Sequence, residues 1–326
     1  MITAWAGEFT GPEACAECHP TQFRLQSGTH HAKALVRIGD SPLAIILQGT
    51  SLQEKTGIRF EYRAARDGVV ASMIKKSDHF DLLLEWVFGA GSKAYTPVGR
   101  IGDEFVEHRV SWYKQSGRLG LTPGHSAALP ADAQSAAGVI ESREAITRCF
   151  GCHATGVQDG PDLSGMRPGV TCERCHGPGS RHIAAAKSSM PSSNTILNAG
   201  RFPARGLVQI CAECHRSPNA RFQSEMPELE DPVSVRFAPV GFLASRCFKN
   251  SNTFSCVTCH DPHQDPRPRQ DPSYTKICIG CHAGAPQPAS ACKRARKTDC
   301  IACHMKTSSP MANLTFTDHR IRIYGD

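Results

Sequence analysis

Fourteen of the 16 cysteines fall into seven copies of one pattern, Cys-x-x-Cys-His. The copies are Cys15-Ala-Glu-Cys18-His19, Cys149-Phe-Gly-Cys152-His153, Cys172-Glu-Arg-Cys175-His176, Cys211-Ala-Glu-Cys214-His215, Cys256-Val-Thr-Cys259-His260, Cys278-Ile-Gly-Cys281-His282 and Cys300-Ile-Ala-Cys303-His304. Two thiols separated by two residues sit on one side of a short helical turn. There they can add to the two vinyl groups of one porphyrin edge, and the histidine that follows reaches the iron as proximal ligand. Zinc ribbons need paired Cys-x-x-Cys and have no use for a histidine after each. Redox dithiols occur once, beside a strand–helix pattern. The spacing therefore predicts seven covalent haem c groups, with His19, His153, His176, His215, His260, His282 and His304 as proximal ligands. The two intervening residues of each copy are expected to face away and to vary freely.

The chain has 15 histidines, so eight are left for the other faces of seven irons: His30, His31, His79, His108, His125, His182, His263 and His319. Two imidazoles per iron leave no open coordination site, which suits electron transfer rather than substrate chemistry. His263 stands three residues after a proximal histidine and is expected to ligate a neighbouring haem. His182 follows the turn Gly177-Pro178-Gly179 and is expected to do the same. His31, at the start of an expected short helix, its neighbour His30, His125 after Leu121-Thr-Pro-Gly, and His319 near the C-terminus are the other distal candidates. His79 sits in a polar run from Lys75 that reads as a solvated loop. His108 alternates with Phe105 and Val110 on an expected strand, and the favoured reading for both is a side chain that does not bind iron. Six histidines would then serve seven irons, unless a methionine, a lysine or another subunit helps. One five-coordinate iron, with His79, His108, Lys93 or Tyr95 as acid–base groups, is the basis of an alternative function: an oxidoreductase acting on a small nitrogen or sulfur species.

The elements that must hold these residues divide by motif placement. Residues 1–40 carry the first motif. Residues 41–145 carry none and read as an antiparallel β-rich insertion. Ile58, Phe60 and Tyr62 alternate with polar residues, Asp67-Gly68 offers a hairpin turn, and 82–88 and 105–113 look like further strands. Residues 146–326 carry six motifs between Pro/Gly/Ser segments. The expected class is α+β: a mainly helical and irregular cytochrome c with a haem-dominated core, plus the β insertion. Aromatic residues make up only 7%, with 28 glycines and 22 prolines, so prosthetic groups are expected to supply buried apolar surface. Cys247 and Cys292 lie outside the motifs and are expected to form a disulfide.

The formal charge of +7 invites a nucleic-acid reading. No nucleic-acid motif accompanies it, and the two propionates of each haem would offset the excess, so the basic residues are read as propionate partners. No run of 18 apolar residues is present, so no transmembrane segment is expected. Residues 1–10 lack the pattern of a secretory signal, which is taken to have been removed. The expected location is the periplasm or the outside of the cell. The expected partners are redox proteins or other cytochromes, with a homo-oligomer or an extracellular cytochrome filament as a further alternative.

Several strings resemble a large group of bacterial multihaem cytochromes related to the tetrahaem cytochrome of the hydroxylamine-oxidation pathway. They are Cys172-Glu-Arg-Cys-His-Gly-Pro-Gly-Ser-Arg-His182, Cys256-Val-Thr-Cys-His-Asp-Pro-His263, Cys300-Ile-Ala-Cys-His-Met-Lys and Phe316-Thr-Asp-His-Arg-Ile321. Within the insertion, Trp86-Val-Phe-Gly-Ala-Gly, Val110-Ser-Trp-Tyr113 and Leu121-Thr-Pro-Gly-His125 are similar too. The string Cys303-His-Met-Lys306 departs from the group's pattern by lacking a proline. The resemblance implies extracytoplasmic electron transfer, with His31, His125, His182, His263 and His319 as distal ligands.

Overall fold

The computed structural model describes residues 7–157, 163–191, 194–216, 227–282 and 299–324. The chain folds as two compact units, Met1–Ile196 and Leu197–Asp326. The division cuts through the 146–326 stretch, so the motifs at Cys149 and Cys172 share a unit with the motif at Cys15.

The first unit is built on the alternation seen from Ile58 onward. Strands β1 (Leu35–Arg37), β2 (Ser51–Gln53), β3 (Arg59–Ala65), β4 (Gly68–Lys75), β5 (Asp78–Phe88), β6 (Ala94–Ile101), β7 (Glu104–His108), β8 (Val110–Tyr113), β9 (Arg118–Leu121) and β10 (Gly138–Ile140) form one sheet with order β10-β7-β6-β5-β4-β3-β2. β1 is added to β5, and β8 bridges β6 and β9. Every pairing in it is antiparallel. Phe60, Tyr62, Val69, Ala71, Met73, Leu82 and Leu84 pack with Ile38, Leu43 and Leu47 into a protein core. The low aromatic content does not prevent this, because aliphatic residues on a pleated face bury as well.

Three local expectations are corrected. The β3–β4 turn consists of Arg66 and Asp67, with Gly68 already paired to Ala65; a Cβ at Gly68 would run into the Leu84 carbonyl. No helix starts at His31. The Gly89 N–H takes the Ala34 carbonyl at 2.8 Å and Leu35–Arg37 pairs with Trp86–Phe88, so sheet pairing overrides local helix preference. His79 is not in a loop but on β5 opposite Ile74, and its exposed ring lies 3.0 Å from Asp81.

Helices α1 (Pro12–Ala16), α2 (Pro20–Ser27), α3 (Pro42–Leu47), α4 (Arg143–His153), α5 (Cys172–His176) and α6 (Ser180–Lys187) complete the first unit. A second cluster of Leu35, Trp86, Val98, Ile146, Phe150 and Ala154 fastens α4 to the sheet. The second unit holds α7 (Ala204–His215), α8 (Ala238–Ala244), α9 (Arg246–Lys249), α10 (Pro272–His282) and α11 (Cys300–His304), followed by a hairpin of Thr307–Met311 with Leu314–Thr317. Its buried apolar cluster is small: Val208, Phe242 and Phe248, with Leu243 and Phe254 against it. The fold is α+β. Cys292 lies outside the described residues.

Candidate haem centres

The motifs occupy the ends of short helices. α4, α5, α7, α10 and α11 each stop at the motif histidine, and α1 stops inside the first motif. Residues 256–258 form one 3-10 turn, capped by Ser255 and Thr258 in a reciprocal box. A helical turn brings residues i and i+3 to one face, which is what two thioether bonds to one porphyrin edge require. Asp299 caps α11 by accepting the Ala302 N–H at 2.9 Å, and Ser142 caps α4 in the same way through Ala145.

The intervening residues do not all face away. Phe150 is fully buried between the rings of Trp86, Phe88 and Phe105. Glu173 and Ala212 are buried, and so is Ile301. Arg174 donates Nε–H to the Gly151 carbonyl at 3.1 Å, which ties the third motif to the second. The expectation of free variation fails because these short helices are themselves the packing elements, and their non-attaching faces meet protein.

First cysteines of different motifs lie together. The Cys15 and Cys172 thiols lie close enough to perturb each other, and α1 packs on α5. Cys211 and Cys256 are paired likewise, with α7 against the 256–258 turn. Cys278 and Cys300 are a third pair, where α10 meets α11. Cys247 lies beside Cys259 and Cys281, with burial the main cause of its raised pKa.

Two pairs of imidazoles face each other. The rings of His19 and His182 have centroids 6.5 Å apart and planes 18° from parallel. Those of His260 and His319 are 6.4 Å apart and inclined by 45°. Two metal–imidazole bonds of about 2 Å each, plus the ring radii, fill a gap of this size. Both His260 and His319 have their pKa lowered by burial, so each is held as the neutral imidazole an iron needs. His319 donates Nδ1–H to the Thr317 carbonyl at 2.9 Å, His153 to Ala34 at 2.9 Å and His304 to Arg322 at 3.0 Å. Such bonds fix the tautomer and leave Nε2 for a metal. Among the described residues, His260 Nδ1 and Arg269 Nε are buried without partners. The Arg269 Nε–H is a donor that a haem propionate would satisfy. The donor set fits haem.

The remaining candidates are placed as follows. His30 and His31 are exposed in the turn before β1, and the His31 carbonyl accepts the Val170 N–H at 2.9 Å, two residues from Cys172. His125 is enclosed, with Nε2 3.0 Å from Glu107. Its loop is held by Arg109, which grips Glu54 with two bonds of 3.0 and 3.2 Å and donates to the Ser126 carbonyl at 2.9 Å. His263 is partly exposed beside Asp261. His176 is half-buried, and His215 and His282 are exposed at their helix ends. His108 is buried inside the sheet. The Tyr95 ring packs on Trp112, and the backbone carbonyl of Lys93 accepts the Lys114 N–H at 2.9 Å. Sequence reasoning missed Phe150, Glu173, Arg174 and Arg109. No signal marks Phe150, Glu173 or Arg174, because the motif tolerates any residue between its cysteines, and Arg109 is tied to Glu54 only through the tertiary fold.

Comparison with known proteins agrees with this chemistry. Residues 249–287 match the family described as a doubled CXXCH motif, and residues 123–177 match the family of cytochrome c554 and c-prime. No curated protein matches the chain. Among solved structures, the outer cell wall cytochrome OcwA aligns over 96% of this chain and 79% of its own, with a TM-score of 0.54 and 17% identity.

Proposed function

We propose that this chain, which is a multihaem c-type cytochrome, carries electrons outside the cytoplasm through seven covalent haems. Bound haem supplies a one-electron iron couple whose potential the ligands and surroundings set. The observation that carries the reading is the pairing of attachment cysteines from different motifs. Where Cys15 meets Cys172, Cys211 meets Cys256 and Cys278 meets Cys300, haems attached at both cysteines of a pair would have their edges side by side. With the Arg174–Gly151 bond, the first unit links its motifs in the order second, third, first. In the second unit Cys259 lies within electrostatic reach of Cys278, which would connect the two pairs. His19 with His182 and His260 with His319 close two of the irons, and His30 or His31, His125 and His263 serve others. Redox proteins are the partners. Among the described residues no helix is long and apolar enough to cross a membrane.

A second reading is favoured by His108 and His79. Both ring nitrogens of His108 are engaged inside the sheet, and His79 is held to Asp81 on an exposed strand. Six spare imidazoles then serve seven irons, and one iron takes a small ligand. Electron paramagnetic resonance of the oxidised protein decides between the readings. Low-spin signals alone support the conduit. A high-spin signal of one iron per chain that shifts with nitrite, hydroxylamine or sulfite supports the enzyme. Fewer than seven haems per chain by pyridine haemochrome absorbance would overturn the count.

A further inference from the structure

Glu173 is an intervening residue of the third motif, yet only 2% of its surface is exposed. Its carboxylate is a hub. Oε1 accepts the Thr10 N–H and the Gly179 N–H, each at 2.8 Å, and the Thr10 hydroxyl at 3.2 Å. Oε2 accepts the Gly11 N–H at 2.8 Å. All four contacts are donations to the carboxylate. No lysine or arginine among the described residues pairs with it, so the buried negative charge is balanced by backbone dipoles and one hydroxyl.

The partners are not arbitrary. Thr10 and Gly11 lead directly into α1, which carries Cys15. Gly179 is the last residue before α6, which carries His182. The same strand of chain is zipped to α6 by a bond from the Glu8 N–H to Ser180 Oγ at 2.8 Å. Both glycines ease the approach. Gly11 has φ of 90°, and a Cβ there would meet the Arg167 guanidinium at 2.8 Å. A Cβ at Gly179 would lie 3.2 Å from Glu173 Oε1 and 3.1 Å from Thr10 Oγ1. One carboxylate on the third motif thus fixes both the helix that attaches the first haem and the helix that aims His182 at His19.

We propose that Glu173 is the positioning residue of the His19–His182 site. It sets the separation and the angle of the two imidazoles, and its charge lies beside the attachment sulfurs of Cys15 and Cys172. The proposal rests on the haem reading above. It assigns a role in the first haem site to a residue of the third motif. A negative charge held near an iron stabilises the oxidised state, so Glu173 also lowers the potential of that site.

The test uses the full holoprotein with Glu173→Ala, Glu173→Gln and, as control, Glu17→Ala. Glu17 is the intervening glutamate of the first motif, exposed and paired with the exposed Lys187 at 3.3 Å. Haem content, resonance spectra and a spectroelectrochemical titration are read together. Glu173→Ala is expected to keep its haem content while one low-spin signal is lost, with a matching gain of high-spin iron. Glu173→Gln keeps an acceptor oxygen, so it is expected to keep the low-spin count, shift one set of g values and raise one midpoint. Glu17→Ala is expected to match the parent. A Glu173→Ala protein with parental spectra and potentials would overturn the proposal. Should that variant not accumulate, a Glu173→Gln protein with parental g values and midpoints would overturn it equally. Absence of haem from the parent would instead refute the haem reading and leave Glu173 with no site to position.

Discussion

The Tyr62 hydroxyl donates to Nε2 of His108 at 3.0 Å, while Nδ1 of the same ring donates to the Ala137 carbonyl at 2.7 Å. The ring is fully buried, and its pKa is pushed down to about 4 by that burial, with the nearby His125 acting in the same direction. This histidine belongs to the sheet, where it joins β3 to the segment before β10.

Its titration gives a first prediction. The unfolded chain takes up the proton near pH 6.5 and the folded chain only near pH 4, so between these values the unfolded state binds more protons. Stability of the first unit should be fully present above about pH 6.5 and fall by up to about 3 kcal/mol as pH drops toward 4. Denaturant melts followed by far-ultraviolet circular dichroism would show it. Replacing His108 by leucine should flatten this part of the profile and leave the haem spectra unchanged; an altered Soret band would place His108 at an iron after all.

The two facing imidazole pairs differ in angle, 18° for His19 with His182 and 45° for His260 with His319. Near-parallel planes give a rhombic low-spin signal, and a wider angle makes it more axial. The variants His182→Ala and His319→Ala should therefore each remove a different low-spin signal and create one high-spin iron. Identical losses in both would argue against separate sites.

Phe150 lies between two attachment-site residues and is fully buried against Trp86, Phe88 and Phe105. Phe150→Ala should cost about 3–5 kcal/mol, from lost transfer energy and the cavity left behind. Thermal melts would report the loss, with haem content preserved because the two cysteines and His153 remain.

Buried Arg109 and half-buried Glu54 form a two-bond ion pair beside the loop of His125. Removing the guanidinium in Arg109→Met strands the carboxylate and should destabilise the first unit by about 3–5 kcal/mol. Proteolysis of the 122–130 loop should accelerate in this variant. An unchanged cleavage rate would show that Arg109 does not hold the loop.

The Cys-x-x-Cys-His repeats are legible in the sequence because the chemistry they suit sets a local spacing, and no tertiary context alters the count of residues between Cys149 and Cys152. The β insertion is legible for a similar reason: alternation at Ile58, Phe60 and Tyr62 is a local consequence of one buried face. What lies beyond reach depends on partners far along the chain. His182 can be named as a candidate, but its pairing with His19 is a tertiary fact. The stretch after His31 reads as helical by itself, yet Leu35–Arg37 is claimed by Trp86–Phe88. Glu173 and Phe150 read as bystanders because the motif places no demand on their identity, whereas packing does.

The bond from Thr10 to Glu173 spans 163 residues. A chain made from its N-terminus thus presents Cys15, Cys18 and His19 long before the groups that complete their surroundings exist. Haem attachment to the first motif need not wait, since it asks only for the local pentapeptide. Closure of that site must wait until the third motif and α6 have followed, and bringing such distant segments together carries the loop-closure cost of a late folding step. The first haem to be attached would be among the last to be enclosed, which leaves an interval during biogenesis when one porphyrin is tethered but still unshielded.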